Sequence, residues 1–111
     1  MTTRTKVEEY RERHPGYLRL LGLRIEQVPP EIGEPEQSLT VTLLSKNGSL
    51  ASSTRFTGVQ QLRVDGVLPG CSCFLEIVPV ESHQLEGLNY QVFNIEQDVT
   101  LAFYCRDFEI E

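Results

Sequence analysis

The sequence predicts an α+β, mainly β fold: one N-terminal helix within residues 1–16, then an antiparallel β region over 17–111 with six to eight strands in a curled sheet or sandwich. Three observations predict it. From Leu18 onward apolar and polar residues alternate with the period of a half-buried strand. The turn pairs Asn47-Gly48, Asp65-Gly66 and Pro69-Gly70 join the apolar runs by connections too short for crossovers, so neighbouring strands run antiparallel. The one stretch with helical spacing is short and stops at Pro15-Gly16. A length of 111 residues fits a single domain, 1–111, that buries about two-thirds of its extended surface without metal or disulfide staples.

Residues 3–14 read as a polar helix. Thr5-x-x-Glu8 has the capping-box pattern, a start at Thr2 or Thr3 being equally compatible, and Val7, Tyr10 and His14 form a thin apolar stripe that predicts light packing. In 18–28, Leu21, Leu23 and Ile25 alternate with Gly22, Arg24 and Glu26. Three prolines between Pro29 and Pro35 remove three backbone donors and make a loop. Residues 39–43 alternate most cleanly, Asn47-Gly48 supplies the hairpin turn, and 50–56 return. Residues 59–64 make a further strand, and 73–78 an apolar one covered on both faces. Residues 79–88 form a loop or one helical turn, and 90–94 and 99–105 pair across 95–98. Val99, Leu101, Phe103 and Cys105 share one parity and Phe108 and Ile110 the other, which predicts a bulge or break at Arg106-Asp107. Phe56, Phe74, Phe103 and Phe108 belong to the core on the same pattern.

The net charge of −6 is unevenly placed: residues 1–64 hold nine bases and seven acids, residues 65–111 one base and nine acids. An acidic balance excludes phosphate-backbone and anionic-membrane binding as the default role, and suits a basic protein partner steered to an acidic face. The start, MTTRTKVEEYRERHPG, has no apolar core of a signal peptide and no apolar run approaches a membrane span, so a cytoplasmic location is expected. The odd set Cys71, Cys73 and Cys105 suits free thiols in a reducing compartment.

No catalytic pattern survives, and no enzyme activity or cofactor is expected. Cys71-x-Cys73 with His83 and Cys105 has the ligand types of a zinc site but not the usual spacing, and buried thiols explain the cysteines more simply. Neither His14 nor His83 lies in a motif with a recognisable orienting carboxylate, and the glycines are isolated turn glycines rather than a phosphate loop. Acids spaced i, i+2, such as Glu96 and Asp98 or Asp107 and Glu109, form a charged strand face. If Tyr104 lies opposite the Phe103 face, it shares an outer surface with Thr100 and Ala102 and is a candidate interface anchor, or else a covering element packs on it.

Over residues 56–110 the runs FTGVQQLRV, HQLEGLNYQVFNIEQDVTLAFYC and RDFEI resemble small bacterial proteins classed as immunity proteins of polymorphic toxin systems. The resemblance implies a cytoplasmic protein without an active site that binds and blocks a cognate toxin through an acidic surface. Together with the charge pattern it places the partner-binding residues at Glu86, Glu96, Asp98, Tyr104, Asp107 and Glu109. Two other classes stay open: a self-associating domain (a homodimer through a sheet face or edge strand) or small-ligand binder, and a thiol or metal protein using Cys71, Cys73 and His83.

Overall fold

A computed structural model describes residues 5–15, 18–28, 35–44, 50–67, 70–80, 88–95 and 99–111. Helix α1 (Lys6–Arg13) precedes β1 (Leu18–Val28), β2 (Glu36–Leu44), β3 (Ala51–Thr57), β4 (Gln60–Asp65), β5 (Ser72–Cys73), β6 (Leu75–Pro79), β7 (Tyr90–Asn94), β8 (Thr100–Cys105) and β9 (Asp107–Ile110). The strands make a five-stranded sheet, β5-β1-β2-β3-β9, and a four-stranded sheet, β4-β8-β7-β6, with every described pairing antiparallel.

Nine segments arise from six continuous strands because three of them bend, at Gly58-Val59, Phe74 and Arg106, and pass from one sheet to the other. Hydrogen bonds carry the ladders through the bends. Arg106 N donates to Thr57 O and Val59 N to Gln37 O, both at 3.0 Å, while Phe74 N donates to Asn94 Oδ1 at 2.8 Å and Ile95 N to Phe74 O at 3.0 Å. Followed through the bends, the pairings close in a ring: β1 with β2, β2 with β3, β3–β4 with β9–β8, β8 with β7, β7 with β6, and β5, continuous with β6, back to β1. The result is a flattened six-stranded barrel, the arrangement that leaves fewest free edges.

The break expected at Arg106-Asp107 is present. Cys105 and Phe108 are both buried although strict alternation would put them on opposite faces, and Arg106 takes up the extra step as the chain changes sheets. The same device stands opposite it. Phe56 and Val59 are both buried, and Gly58 turns the corner at φ +64°, where an added Cβ would lie 2.9 Å from the Cβ of Arg106. Beneath the corner, Phe56 meets Phe103 edge-to-face at 4.9 Å, and Tyr90 meets Phe108 at 5.0 Å. Phe74 departs from the expected core set: it sits at its own bend, only partly buried, so the expected strand over 73–78 is divided there, and Val78 is exposed on its outer face.

In β1 the expected alternation fails at one place. A register irregularity between Leu20 and Gly22 makes Leu21 an extra residue, so Leu20, Leu23 and Ile25 face inward opposite Leu43, Val41 and Leu39, while Leu21 lies exposed outside. The Asn47-Gly48 turn, most of the Pro29–Pro35 loop, Pro69, most of 79–88 and residues 96–98 lie outside the described residues.

Thr5 is the helix cap, its side chain accepting from Glu8 N at 3.1 Å. The helix does more than pack lightly. Tyr10 is 1% exposed and touches Phe108 edge-to-face at 6.2 Å. His14, also buried, stacks on the Tyr10 ring at 4.3 Å. Its Nδ1 donates to Tyr10 O at 3.0 Å, since a carbonyl only accepts, and Nε2 therefore accepts from Ser52 Oγ at 2.9 Å. Lys6 Nζ reaches Asp107 Oδ1 at 2.8 Å and Phe108 O at 3.1 Å, so the helix start is tied to β9 and its end to β3.

Two outcomes follow from this packing. Gly58→Ala combines a strained backbone with a close approach to Arg106 and is expected to destabilise by about 1–3 kcal/mol in urea unfolding. Burial holds the His14 pKa below its usual 6.5, so the unfolded chain binds that proton first. The contribution of His14 is complete above 6.5 and is lost as pH falls through 6.5 toward the folded value. Unfolding midpoints at about pH 7.5 and about pH 5.5 should therefore drop for the wild type and drop less for His14→Gln.

Candidate partner-binding surface

Among the described residues the barrel interior is mostly apolar, with Leu39, Cys73, Ile77, Val92, Leu101 and Cys105 all at 0% exposure; its polar members are Thr54, opposite Val41, and Ser52, which bonds His14. Burial pushes the Cys73 thiol up to about 12, with Cys71 beside it adding to the shift, and pushes Cys105 up to about 12. Both stay protonated at neutral pH, the reverse of what a nucleophile or thiolate ligand needs. Cys71 is half-buried beside the β5 edge, and His83 lies outside the described residues. Among the described residues no cluster of three or more His, Cys, Asp or Glu is placed to hold a metal ion.

The outside is more varied. Register places Tyr104 opposite Gln60 on one side and Gln91 on the other, and Ala102 opposite Arg63 and Phe93. Directly opposed residues share a face, so Tyr104 sits with Ala102 and Thr100 on the outer face of the four-stranded sheet, as its parity predicted. No described element covers that face. Beside it β4 bulges, with two residues between Gln60 and Arg63 that match none on β8, and Gln61 adopts φ +54°. The bulge opens a cleft of about 360 Å³ between Gln61, Arg63, Gln91 and Tyr104. Gln61 also borders a second cleft of about 660 Å³ at the Gly58 corner, where Gln27, Gln37 and Gln60 converge. The floor of this second cleft includes a two-pronged ion pair between Arg106 and Glu36, with Nη2 to Oε2 at 3.0 Å. The glutamines were not singled out in the sequence, where they are scattered over four segments. The β1–β2 register sets Gln27 opposite Gln37, and the bend brings Gln60 and Gln61 to them.

Of the acids expected at an interface, Asp107 and Glu109 are among the described residues, at i, i+2 on β9. Asp107 Oδ1 binds Lys6 Nζ at 2.8 Å and accepts from Phe108 N at 2.8 Å, and the Lys6 ammonium holds its carboxyl below the usual carboxylate value. Glu109 is exposed on the same outer face of β9, opposite Arg55. Tyr104 stands on the other side of the Arg106 bend from both, and Glu86, Glu96 and Asp98 lie outside the described residues. The charge asymmetry of the sequence is crossed in space, because bases of the first half meet acids of the second: Lys6 with Asp107, and Arg11 with Glu76 at 3.4 Å. These pairs are at least partly exposed, and each contributes on the order of 0–1 kcal/mol.

No helix among the described residues is long and apolar enough to cross a membrane. No curated protein and no solved structure matches the chain significantly. The family model described as immunity protein PIM8 matches residues 2–111, nearly the whole chain, in agreement with the resemblance of the strands over 56–110. On that match, the chain belongs to the immunity protein PIM8 family.

Proposed function

We propose that this protein is a non-enzymatic inhibitor that neutralises a toxin in the cytoplasm by binding it and covering the surface the toxin needs. The family match over residues 2–111 is the observation that carries this reading. The interior supports it as well: among the described residues it is packed mostly with apolar side chains and two protonated thiols, which leaves the outer surface for binding. The toxin is proposed to be basic. Four acids of the second half, Glu86, Glu96, Asp98 and Glu109, would steer it, with Tyr104 as the aromatic anchor and Asp107 joining through its pair with Lys6.

Titration of the cognate toxin domain with the purified protein tests the mechanism. Toxin activity is expected to fall linearly to zero at one-to-one stoichiometry, with the toxin's mass unchanged and the association rate falling as salt rises. Charge reversal of Glu96 and Asp98 together should slow association and flatten its salt dependence. Loss of toxin activity at far below equimolar inhibitor, with a changed toxin mass, would instead mark an enzyme.

A further inference from the structure

A barrel built from bent strands still has edges at its corners, and three of the four are managed. The β9 edge is covered by α1, whose Lys6 Nζ donates to Phe108 O. The β6 edge lies against the same helix, where Arg11 meets Glu76, and ends in Pro79. The β4 edge is interrupted by its bulge at Gln61 and stopped after six residues at Gly66, φ +70°. Interruption and covering are the usual means of keeping an edge from pairing with another chain.

Among the described residues, the β1 edge has neither. On one side, residues 22–28 pair without interruption with β2, from Gly22 opposite Thr42 to Val28 opposite Glu36. On the other side, β5 pairs only with Leu18 and Arg19, and the last backbone bonds are Leu20 N to Cys71 O at 2.8 Å and Gly70 N to Leu20 O at 2.7 Å. Past Leu20 no described strand continues that side. This is a regular seven-residue edge of about 23 Å that contains no proline. At its middle is Ile25, opposite the fully buried Leu39 yet itself 53% exposed.

We propose that residues 22–28 of β1 pair with the same residues of a second copy of this chain, antiparallel about a two-fold axis through Ile25. The order of side chains argues for a copy rather than another occupant. In that register Arg24 of each copy stands opposite Glu26 of the other, twice by symmetry, and the two Ile25 side chains meet at the axis. Arg24 Nε already reaches Glu26 Oε1 at 3.0 Å within one strand, with both side chains exposed, so the dimer sets four charges in alternating sign. Charged residues usually protect an edge by repelling a neighbour; here their order attracts an identical one. The pairing is independent of any toxin.

Sedimentation velocity on the full-length protein over about 1–500 µM tests it. The wild type is expected to show a reversible monomer–dimer equilibrium. Arg24→Glu and Glu26→Arg should each weaken it about tenfold or more, since each turns two facing attractions into repulsions. An equimolar mixture of these two variants should recover dimer, because the wholly acidic edge of the first then faces the wholly basic edge of the second. Ile25→Lys should be monomeric with its circular dichroism unchanged. A wild type that stays monomeric throughout overturns the proposal, and if Ile25→Lys then weakens toxin binding, the edge belongs to a strand of the toxin. Dimerisation that all three variants leave intact also overturns it.

Discussion

The fold depends on one folded ladder. Strands β3 and β4 run continuously against β9 and β8, and both members of this pair must turn from one sheet into the other at the same level. Gly58 and Arg106 face each other there, each taking up one extra residue, and the Arg106 N bond to Thr57 O keeps the two chains paired through the turn. A side chain at position 58 would meet Arg106, and an unbroken alternation in either strand would put Phe108 or Val59 in water. Because the two bends coincide, Phe56, Phe103 and Phe108 gather under the corner, and the helix is positioned by setting Tyr10 against Phe108.

This constraint decides where function can reside. Closing the barrel consumes the inward positions, so Cys73 and Cys105 become buried packing groups with raised pKa values. Among the described residues, the outside offers the face around Tyr104, which no described element covers, and the glutamine-lined clefts beside the β4 bulge. Membership in an immunity protein family agrees with that division. An inhibitor needs a rigid, complementary exterior and no reacting groups, and ring closure through hydrogen-bonded bends supplies the rigidity.

Much of the fold was legible locally. Thr5-x-x-Glu8 marks the helix cap because the hydroxyl satisfies an orphan N–H three residues on, and the parity switch between Cys105 and Phe108 marks the bulge because a strand alternates strictly. What was not legible depends on partners distant in sequence. The extra residue at Leu21 leaves a parity switch, from Leu18 and Leu20 to Leu23 and Ile25, but Leu21 itself fits the second parity, so only the register against β2 shows which residue is extra. Barrel closure rests on β5, two residues long, pairing with β1, and so short a strand leaves no periodic signal. The acidic second half was visible, but its pairing with Lys6 and Arg11 was not, because each pair joins residues at least 65 positions apart. Tyr104 could be placed on an outer face by parity, whereas the convergence of the paired Gln27 and Gln37 with Gln60 and Gln61 needed the corner itself.

Ring closure through the bends is tested most directly by native-state hydrogen exchange at the corner amides. Val59, Ile95 and Arg106, whose N–H groups carry the ladders across the bends, are expected to exchange only with global unfolding, at the same free energy and denaturant dependence as Val92 and Phe103 in the barrel wall. Exchange of these three amides through local openings, well below the global free energy and insensitive to denaturant, would mean two sheets hinged at their corners instead of one closed barrel.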